Sequence, residues 1–336
     1  ENSLFAFNVD KNQTKLVKIV ESENLSESIK NYRIQLSTFN SKHVIPEALS
    51  KVEQHLTNLN KSQIIIIPTD LLSLIPFETL VTDYTHSKFS ISYSCSLNLL
   101  AEQWNTKHTL SPPNVGIFAA KQTQNNSSNY LPYLTKEIES ISNFCSATVF
   151  EVASKHEFLS NASKFNILHL ATHSSIDNEN PELSHLAFQD DELLVAELYN
   201  QTLTSNLAVL SACDTGNGYL LNGEGAQSIS KAFTYAGIPS TVMSLWKVDD
   251  KATAQLMGSF YKHLQDGQPK DVALKLAKQD YLQLDIDQEL KHPYYWSGFV
   301  LSGNTEPFKK EQPFNYWYLS FLILPIAALA FLKLKA

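Results

Sequence analysis

The chain has 336 residues, a length that suits one large domain or two modest ones. Hydrophobic residues make up 43% and charged residues 18%, which is typical of a globular protein and argues against a largely disordered one. The net charge is −8 and no basic run occurs, so nucleic acid is not an expected partner. The three cysteines, Cys95, Cys145 and Cys213, form no CxxC pair, which argues against a disulfide framework and a cysteine zinc site. The chain starts at Glu1 without an initiator methionine or a signal peptide, so we expect it to be part of a longer protein.

Apolar periodicity predicts few elements in the first 110 residues and a regular alternation after them. Residues 49–59 have helical spacing, and the four isoleucines at 64–67 predict a buried strand. Further strands are predicted over 115–120, 148–152, 165–171, 207–211, 241–246 and 296–301. Helices are predicted over 135–144, with Thr135 as its N-cap, and over 156–162, 225–235, 252–264 and 272–282. This alternation is typical of an α/β fold with a mostly parallel sheet covered by helices on both faces.

Two of the predicted strands end next to residues that have catalytic chemistry. His173 follows the strand at 165–171, and Cys213 follows the strand at 207–211. Ligands of open α/β sheets bind outside the carboxyl ends of the strands, and neighbouring strands lie about 4.8 Å apart. If these two strands are parallel neighbours, His173 and Cys213 face each other across one site.

A cysteine beside a histidine can carry out nucleophilic catalysis. A free thiol has a pKa of about 8.5, and a nearby imidazole lowers that pKa or takes the proton during attack. The thiolate then attacks a carbonyl carbon, and the imidazolium protonates the leaving amine. The backbone N–H groups of Ser174 and Cys213 are the candidate donors to the oxyanion. The turn-forming residues 214–218 can expose the cysteine.

Other interpretations of the same residues stay open. A cysteine at a strand end is most often a small buried hydrophobe, and His169, inside the apolar run, is predicted to be a core histidine. The spacing of His169 and His173 resembles a zinc pair, but Leu170 stands where a zincin has glutamate, so neither a metal nor another cofactor is predicted. Gly216 and Gly218 lack the third glycine of a dinucleotide fingerprint, and no phosphate loop or GxSxG elbow occurs.

Several segments, in order, resemble the CHAT family of peptidases, which is related to caspases and separases. They read HLATHS from residue 169, LAVLSACDTGNG from 207, GEGAQSISKAFTYAGIPSTVMSLWKVDDKAT from 223 and HPYYWSGFVLSG from 292. IIIIPTDLLSLIPFETL from residue 64 and YSCSLNLL from 93 resemble the front half of the same domain. The resemblance therefore covers about residues 1–305.

The resemblance implies a caspase-like sheet with a Cys–His dyad, in which His173 is the general base and Cys213 the nucleophile. It implies a degenerate front half over 1–110, a catalytic half over 111–304 and tetratricopeptide repeats upstream in the full-length chain. Ser174 stands where the family usually has glycine, and a side chain there is expected to narrow the oxyanion hole. The expected function is a cysteine endopeptidase acting on protein substrates. The alternative is a catalytically silent scaffold that keeps the fold to bind partners.

Asp250 is the candidate substrate-binding residue. The segment LWKVDD at 245–250 ends a predicted strand beside the Cys213 strand, and it resembles the segment in which separases, which cut after arginine, hold an acidic residue. A carboxylate there can pair with an arginine guanidinium through two hydrogen bonds. The other interpretation is that Asp249 or Asp250 caps the helix that follows.

The end of the sequence predicts a linker and a membrane anchor. Residues 305–315 are polar and contain two prolines, whereas residues 316–332 carry no charge and are almost wholly apolar. Their length is at the lower limit for crossing a bilayer, and aromatic residues and lysines flank the segment as they do in membrane helices. A buried amphipathic helix is the alternative, but the segment has no polar face. Lys333 and Lys335 favour a cytoplasmic C-terminus and an extracytoplasmic peptidase, while lysines on the other side oppose this orientation.

Overall fold

The computed structural model describes residues 3–39, 43–106, 111–119, 133–177, 179–211 and 224–310. The strands are Ser3–Val9 (β1), Thr14–Glu21 (β2), Gln63–Ile66 (β3), Ser90–Tyr93 (β4), Asn114–Ala119 (β5), Ser146–Phe150 (β6), Ile167–Ala171 (β7), Ser174–Ser175 (β8), His185–Ala187 (β9), Glu192–Leu194 (β10), Leu207–Leu210 (β11), Ser240–Ser244 (β12) and Phe299–Gly303 (β13). The helices are Leu25–Ser37 (α1), Glu47–Asn58 (α2), Leu97–Asn105 (α3), Leu134–Phe144 (α4), Lys155–Asn161 (α5), Val195–Leu198 (α6), Glu224–Tyr235 (α7), Asp250–Gln265 (α8), Lys270–Gln283 (α9) and Pro293–Trp296 (α10).

A sheet of eight strands organises the molecule, in the order β3-β4-β13-β12-β11-β7-β5-β6. The five strands from β12 to β6 are parallel to one another. Strands β3 and β4 are also parallel to each other, and β13 is antiparallel to β12. The large, mostly parallel sheet flanked by helices that the sequence predicts is therefore confirmed.

The central strands form because their sequences are continuous apolar runs, as strands covered on both faces require. Every residue of β7, β11 and β12 is buried. On one face, His169 of β7 meets Tyr261 of α8, and on the other, Thr241 of β12 meets Ser230 of α7. Helices therefore cover both faces of the sheet, and the core lies in two layers, one on each side.

Strands from both predicted halves of the domain share this sheet. Strands β3 and β4 precede residue 110, whereas the six strands from β13 to β6 follow it. Polar contacts also join the two parts, one of them fully buried. The Lys278 ammonium of α9 lies 2.6 Å from the Glu78 carboxylate, and the amide of Gln63 donates to Asp271 at 2.9 Å. The front and back parts are therefore packed as one body around a common sheet.

Residues 3–37 form a hairpin and a helix that the sequence pattern did not predict. Strands β1 and β2 pair as a separate antiparallel sheet, in which Leu4 packs against the core whereas Phe5 and Phe7 are exposed. Apolar side chains thus lie on both faces of β1, which removes the alternation of apolar and polar residues by which a half-buried strand is recognised.

Other boundaries also differ from the sequence predictions. Thr135 lies inside α4, whose N-cap position is Tyr133 with no side-chain hydrogen bond, so the predicted cap was wrong. The final strand begins at Phe299 because Trp296 ends a short helix that starts with a proline. The region between β7 and β11 holds a small antiparallel sheet of β8, β9 and β10.

The predicted membrane segment at 316–332 and residues 311–315 of the predicted linker lie outside the described residues. Within the ranges that the structure describes, no helix combines the length and the apolar character needed to cross a bilayer.

Candidate active site

The predicted catalytic strands β7 and β11 are parallel neighbours. Leu170 of β7 pairs with Leu210 of β11, which in turn pairs with Met243 of β12. The pairing continues one residue beyond β11, since the Ser211 N–H donates to the Leu170 carbonyl at 3.1 Å. The carboxyl ends of the three strands therefore meet at one edge of the sheet. Cys213 itself lies outside the described residues.

His173 and Ser174 follow β7 at this edge. The His173 side chain is half-buried, and its carbonyl accepts a hydrogen bond from the Ala187 N–H at 2.8 Å. In an antiparallel ladder, hydrogen-bonded and non-hydrogen-bonded pairs alternate. Because Ala187 donates to His173, the next pair, Ser174 and Leu186, is a non-hydrogen-bonded pair of the β8–β9 ladder. The Ser174 N–H therefore points away from β9. The Ser174 side chain is buried, and its Oγ has no hydrogen-bond partner among the described residues.

His169 belongs to the core rather than to this edge, as the sequence predicts. Its side chain is fully buried and faces α8 and α4. Nδ1 lies 3.1 Å from the Tyr261 hydroxyl, and Nε2 lies 3.2 Å from the carboxylate of Glu137. The two histidines of the HLATH motif therefore occupy different environments.

Replacing His169 with alanine is expected to lower the free energy of unfolding by about 1–3 kcal/mol, because the buried Tyr261 hydroxyl then loses its hydrogen-bond partner. The same replacement at the half-buried His173 is expected to change stability by less than about 0.5 kcal/mol. Urea unfolding followed by circular dichroism measures both. Equal losses of stability from the two replacements contradict the distinction between a core and a site histidine.

The segment 245–250 lies between β12 and α8 and is held along its length. The Leu245 N–H donates to the Gly298 carbonyl at 2.9 Å, and the Trp246 indole N–H donates to the Tyr294 carbonyl at 3.0 Å. Asp249 caps α8, since its Oδ1 accepts from the Ala252 N–H at 2.9 Å. Asp250 is the first residue of α8 and is not the cap, so its carboxylate is not needed to begin the helix.

The carboxylate of Asp250 is half-buried and its pKa is raised. Burial is the largest cause, and the negative charges of Asp249 and Glu137 add to it. Lys247 and His173 act in the opposite direction and favour the ionised form. His173 and Asp250 follow the parallel strands β7 and β12, whose carboxyl ends lie at the same edge of the sheet.

Two contributors to this region were not predicted from the sequence. Glu137 of α4 contacts His169, and its negative charge contributes to the raised pKa of Asp250. Arg33 of α1 donates from Nη2 to the Leu245 carbonyl, and its guanidinium carbon lies 4.6 Å from the centre of the Trp246 ring. The feature of the sequence that distinguishes Arg33 is its rarity, because it is the one arginine in a sequence with 25 lysines.

Two solved structures with a similar fold are peptidase complexes. A complex of the pro- and mature domains of RgpB from Porphyromonas gingivalis matches with a TM-score of 0.52 at 8% identity, over 84% of this chain and 77% of that one. The Saccharomyces cerevisiae separase–securin complex matches with a TM-score of 0.50 at 12% identity, over 73% of this chain and 16% of that one.

A third structure, the Arg specific cysteine proteinase gingipain R, matches with a TM-score of 0.50 at 7% identity, over 85% of this chain and 75% of that one. At these identities the three likenesses concern the fold, which is that of caspase-like peptidases.

Two sequence relatives are much longer than this chain. Tetratricopeptide repeat protein 28 of Mus musculus is 29% identical over 112 residues, which are 33% of this chain and 4% of the mouse protein. The Homo sapiens protein of the same name is 26% identical over 199 residues, which are 48% of this chain and 8% of the human protein. The chain thus matches less than a tenth of the length of either relative.

The CHAT domain family matches residues 42–304. This range contains all eight strands of the large sheet and the edge that carries His173 and Asp250. Because the match spans most of the sequence, the chain belongs to the CHAT domain family.

Proposed function

We propose that the chain is a cysteine endopeptidase in which Cys213 is the nucleophile and His173 the general base. The observation that carries the proposal is the pairing of Leu170 with Leu210 in adjacent parallel strands. His173 follows the first of these residues by three positions, and Cys213 follows the second by three. Equal offsets from a paired position, at the carboxyl edge where α/β sheets bind ligands, support a Cys–His pair.

In the proposed reaction, His173 takes the proton from the Cys213 thiol as the sulfur attacks the carbonyl carbon of the substrate. The resulting oxyanion is stabilised by the backbone N–H groups of Ser174 and Cys213. Breakdown of the tetrahedral species breaks the C–N bond, and His173 gives its proton to the leaving amine. Water then hydrolyses the thioester with His173 as base. The Ser174 N–H that points away from β9 supports this role for Ser174.

Asp250 is proposed to bind a basic side chain of the substrate before the cleaved bond. Its carboxylate is half-buried at the carboxyl edge where His173 also lies, and Asp249 rather than Asp250 caps α8. A guanidinium can donate two hydrogen bonds to such a carboxylate. The fold neighbour gingipain R, an Arg specific cysteine proteinase, supports the same choice of side chain.

The composition of the chain favours arginine over lysine as the recognised residue. Its one arginine, Arg33, is 7% exposed and lies within helix α1, where the backbone cannot extend into an active site. The 25 lysines include exposed ones outside helices and strands, such as Lys11 and Lys88. A peptidase restricted to arginine is therefore not expected to cleave this folded chain. A peptidase that also accepts lysine would find many exposed cleavage sites in it.

The Asp250→Asn variant tests the specificity. Removing the charge while keeping the shape of the side chain is expected to lower kcat/KM for peptides with arginine before the cleaved bond by roughly 10- to 100-fold, the value of a hydrogen-bonded charge pair. A peptide library read by mass spectrometry measures the preference of both proteins.

The matched control is Asp249→Asn, which preserves a capping side chain at the start of α8 and is expected to keep the preference for arginine. A library preference for acidic or small apolar residues, unchanged in the Asp250→Asn variant, contradicts the proposed pocket.

We also propose that the domain works with tetratricopeptide repeats in a longer chain and is held at a membrane by residues 316–332. The names of the two sequence relatives support the first part. The second is supported by the apolar, uncharged sequence of the segment and its flanking aromatic residues and lysines.

Deleting all residues after Gln312 is expected to move the protein from the membrane pellet to the supernatant, because the only long uncharged apolar segment of the sequence is removed. Ultracentrifugation of detergent-free lysates, with the full chain in parallel, measures this. Fusing residues 313–336 to a soluble reporter provides the converse control. A truncated protein that still pellets, together with a reporter that stays soluble, contradicts the anchor.

A further inference from the structure

Arg33 connects the N-terminal helix to the edge that carries Asp250. The residue lies on α1, and its Nη2 donates to the carbonyl of Leu245, which is 212 residues away in sequence. Its guanidinium lies over the ring of Trp246, with 4.6 Å between the guanidinium carbon and the ring centre. The side chain is 7% exposed. Helix α1 therefore contacts the first two residues of the segment 245–250 through this side chain.

The environment of Arg33 is costly for a charge. Burial lowers the pKa of its guanidinium to about 10, and no carboxylate among the described residues lies within ion-pair distance of it. Nε and Nη1 have no hydrogen-bond partner in the described part of the chain. A buried charge without a carboxylate partner generally destabilises a fold relative to an apolar side chain of similar volume. Stability therefore does not explain why the chain places its one arginine here.

Arg33 contacts the backbone of the segment 245–250, which leads to Asp250. The peptide groups of Leu245 are fixed on both sides, since its N–H donates to Gly298 and its carbonyl accepts from Arg33. Trp246 is held between the guanidinium and the Tyr294 carbonyl, to which its indole N–H donates. Asp250 follows four residues after Trp246 at the start of α8.

We propose that Arg33 is a positioning residue that fixes the segment 245–250 and thereby sets where the Asp250 carboxylate meets the substrate. The effect on substrate preference rests on the proposed peptidase function, whereas the effect on the segment does not. Helix α1 lies outside residues 42–304, the part matched by the CHAT domain. The contact that positions the segment 245–250 therefore comes from outside the matched region.

Arginine suits this position better than lysine. The planar guanidinium can lie flat on an indole ring while one edge donates to a carbonyl, whereas an ammonium group is a point charge without a flat face. The Arg33→Lys variant therefore keeps the charge and removes the geometry. Arg33→Met removes both but keeps an apolar stem. Lys30→Met, an exposed change on the same helix, is the matched control.

The first measurement is hydrogen–deuterium exchange of the full chain. Both Arg33 variants are expected to speed exchange of the amides in 245–250 by about tenfold, the factor that corresponds to losing one hydrogen bond of ordinary strength. Exchange in α2 and α9 and in the Lys30→Met control is expected to match the parent protein. Unchanged exchange at 245–250 in both Arg33 variants, or equal acceleration throughout the protein, overturns the proposal.

The second measurement is cleavage of two peptides, one with arginine and one with alanine before the cleaved bond. The Arg33→Lys variant is expected to raise KM for the arginine peptide about tenfold with little change in kcat, and to leave the alanine peptide unaffected. Combining it with Asp250→Asn is expected to add no further loss, because both changes remove the same contact. Equal losses on both peptides indicate a general structural defect and overturn the positioning role. If the parent protein cleaves neither peptide, the peptidase function fails while the exchange result still decides the role of Arg33.

Discussion

Replacing Cys213 with alanine is expected to remove peptide cleavage, with a loss of kcat/KM of roughly 10⁴-fold or more, because no other group in the proposed site can form the thioester. His173→Ala is expected to cost about 10²- to 10⁴-fold, the contribution of a general base. Initial rates with a fluorogenic arginine peptide, and circular dichroism to verify folding, measure both.

The other two cysteines provide the matched controls. The thiol of Cys145 is buried and lies 3.7 Å from the Tyr261 carbonyl. Burial raises the pKa of the Cys95 thiol, although Lys231 partly opposes this, so little of it is thiolate at neutral pH. Cys95→Ala and Cys145→Ala are therefore expected to keep the cleavage rate. Cleavage that persists in Cys213→Ala, or disappears in Cys95→Ala, contradicts the assignment of the nucleophile.

The largest effect on stability is expected at Lys278. Its ammonium is fully buried and lies 2.6 Å from the Glu78 carboxylate, which also accepts from the Tyr93 hydroxyl at 2.6 Å. Replacing Lys278 with methionine leaves the Glu78 carboxylate buried without its cation, which costs about 3–5 kcal/mol. Urea unfolding measures the loss, and a single transition that moves to lower urea is expected because the pair joins the two parts of the sheet.

The exposed Lys262→Met on the neighbouring helix is the control, with an expected change below about 0.5 kcal/mol. The double variant Glu78→Met with Lys278→Met is expected to be more stable than Lys278→Met alone, because no unpaired charge remains. The Tyr93 hydroxyl keeps the Phe77 N–H as its donor at 2.7 Å. A loss at Lys278 no larger than that at Lys262, or no recovery in the double variant, contradicts the account of this pair.

The sequence predicts the central strands well because strands buried on both faces have continuous apolar sequences. The apolar runs that end before His173 and Cys213 correspond to β7 and β11 to within two residues. The order of the strands cannot be seen in the sequence in the same way. Strand β7 lies between β11 and β5 because it pairs with residues that are distant from it in the chain. The sequence therefore predicts which strands carry the site, and the pairing makes them neighbours.

The elements that were missed have mixed patterns or depend on distant contacts. Strand β1 places apolar side chains on both faces, and Arg33 differs from a surface residue only through contacts with Leu245 and Trp246. The ambiguity between Asp249 and Asp250 was also local, because either residue can cap a helix. Only the backbone geometry at Ala252 shows that Asp249 is the cap.

The proposed peptidase chemistry depends on Cys213 being a thiol activated by His173, and covalent labelling tests this most directly. An arginine-containing peptidyl acyloxymethyl ketone, which alkylates activated catalytic thiols, is incubated with the protein, and the modified peptide is identified by mass spectrometry. The expected result is one equivalent of label on Cys213, lost in His173→Ala and reduced in Asp250→Asn. Absence of label from Cys213 in the folded parent protein, or label that His173→Ala leaves unchanged, contradicts the peptidase assignment.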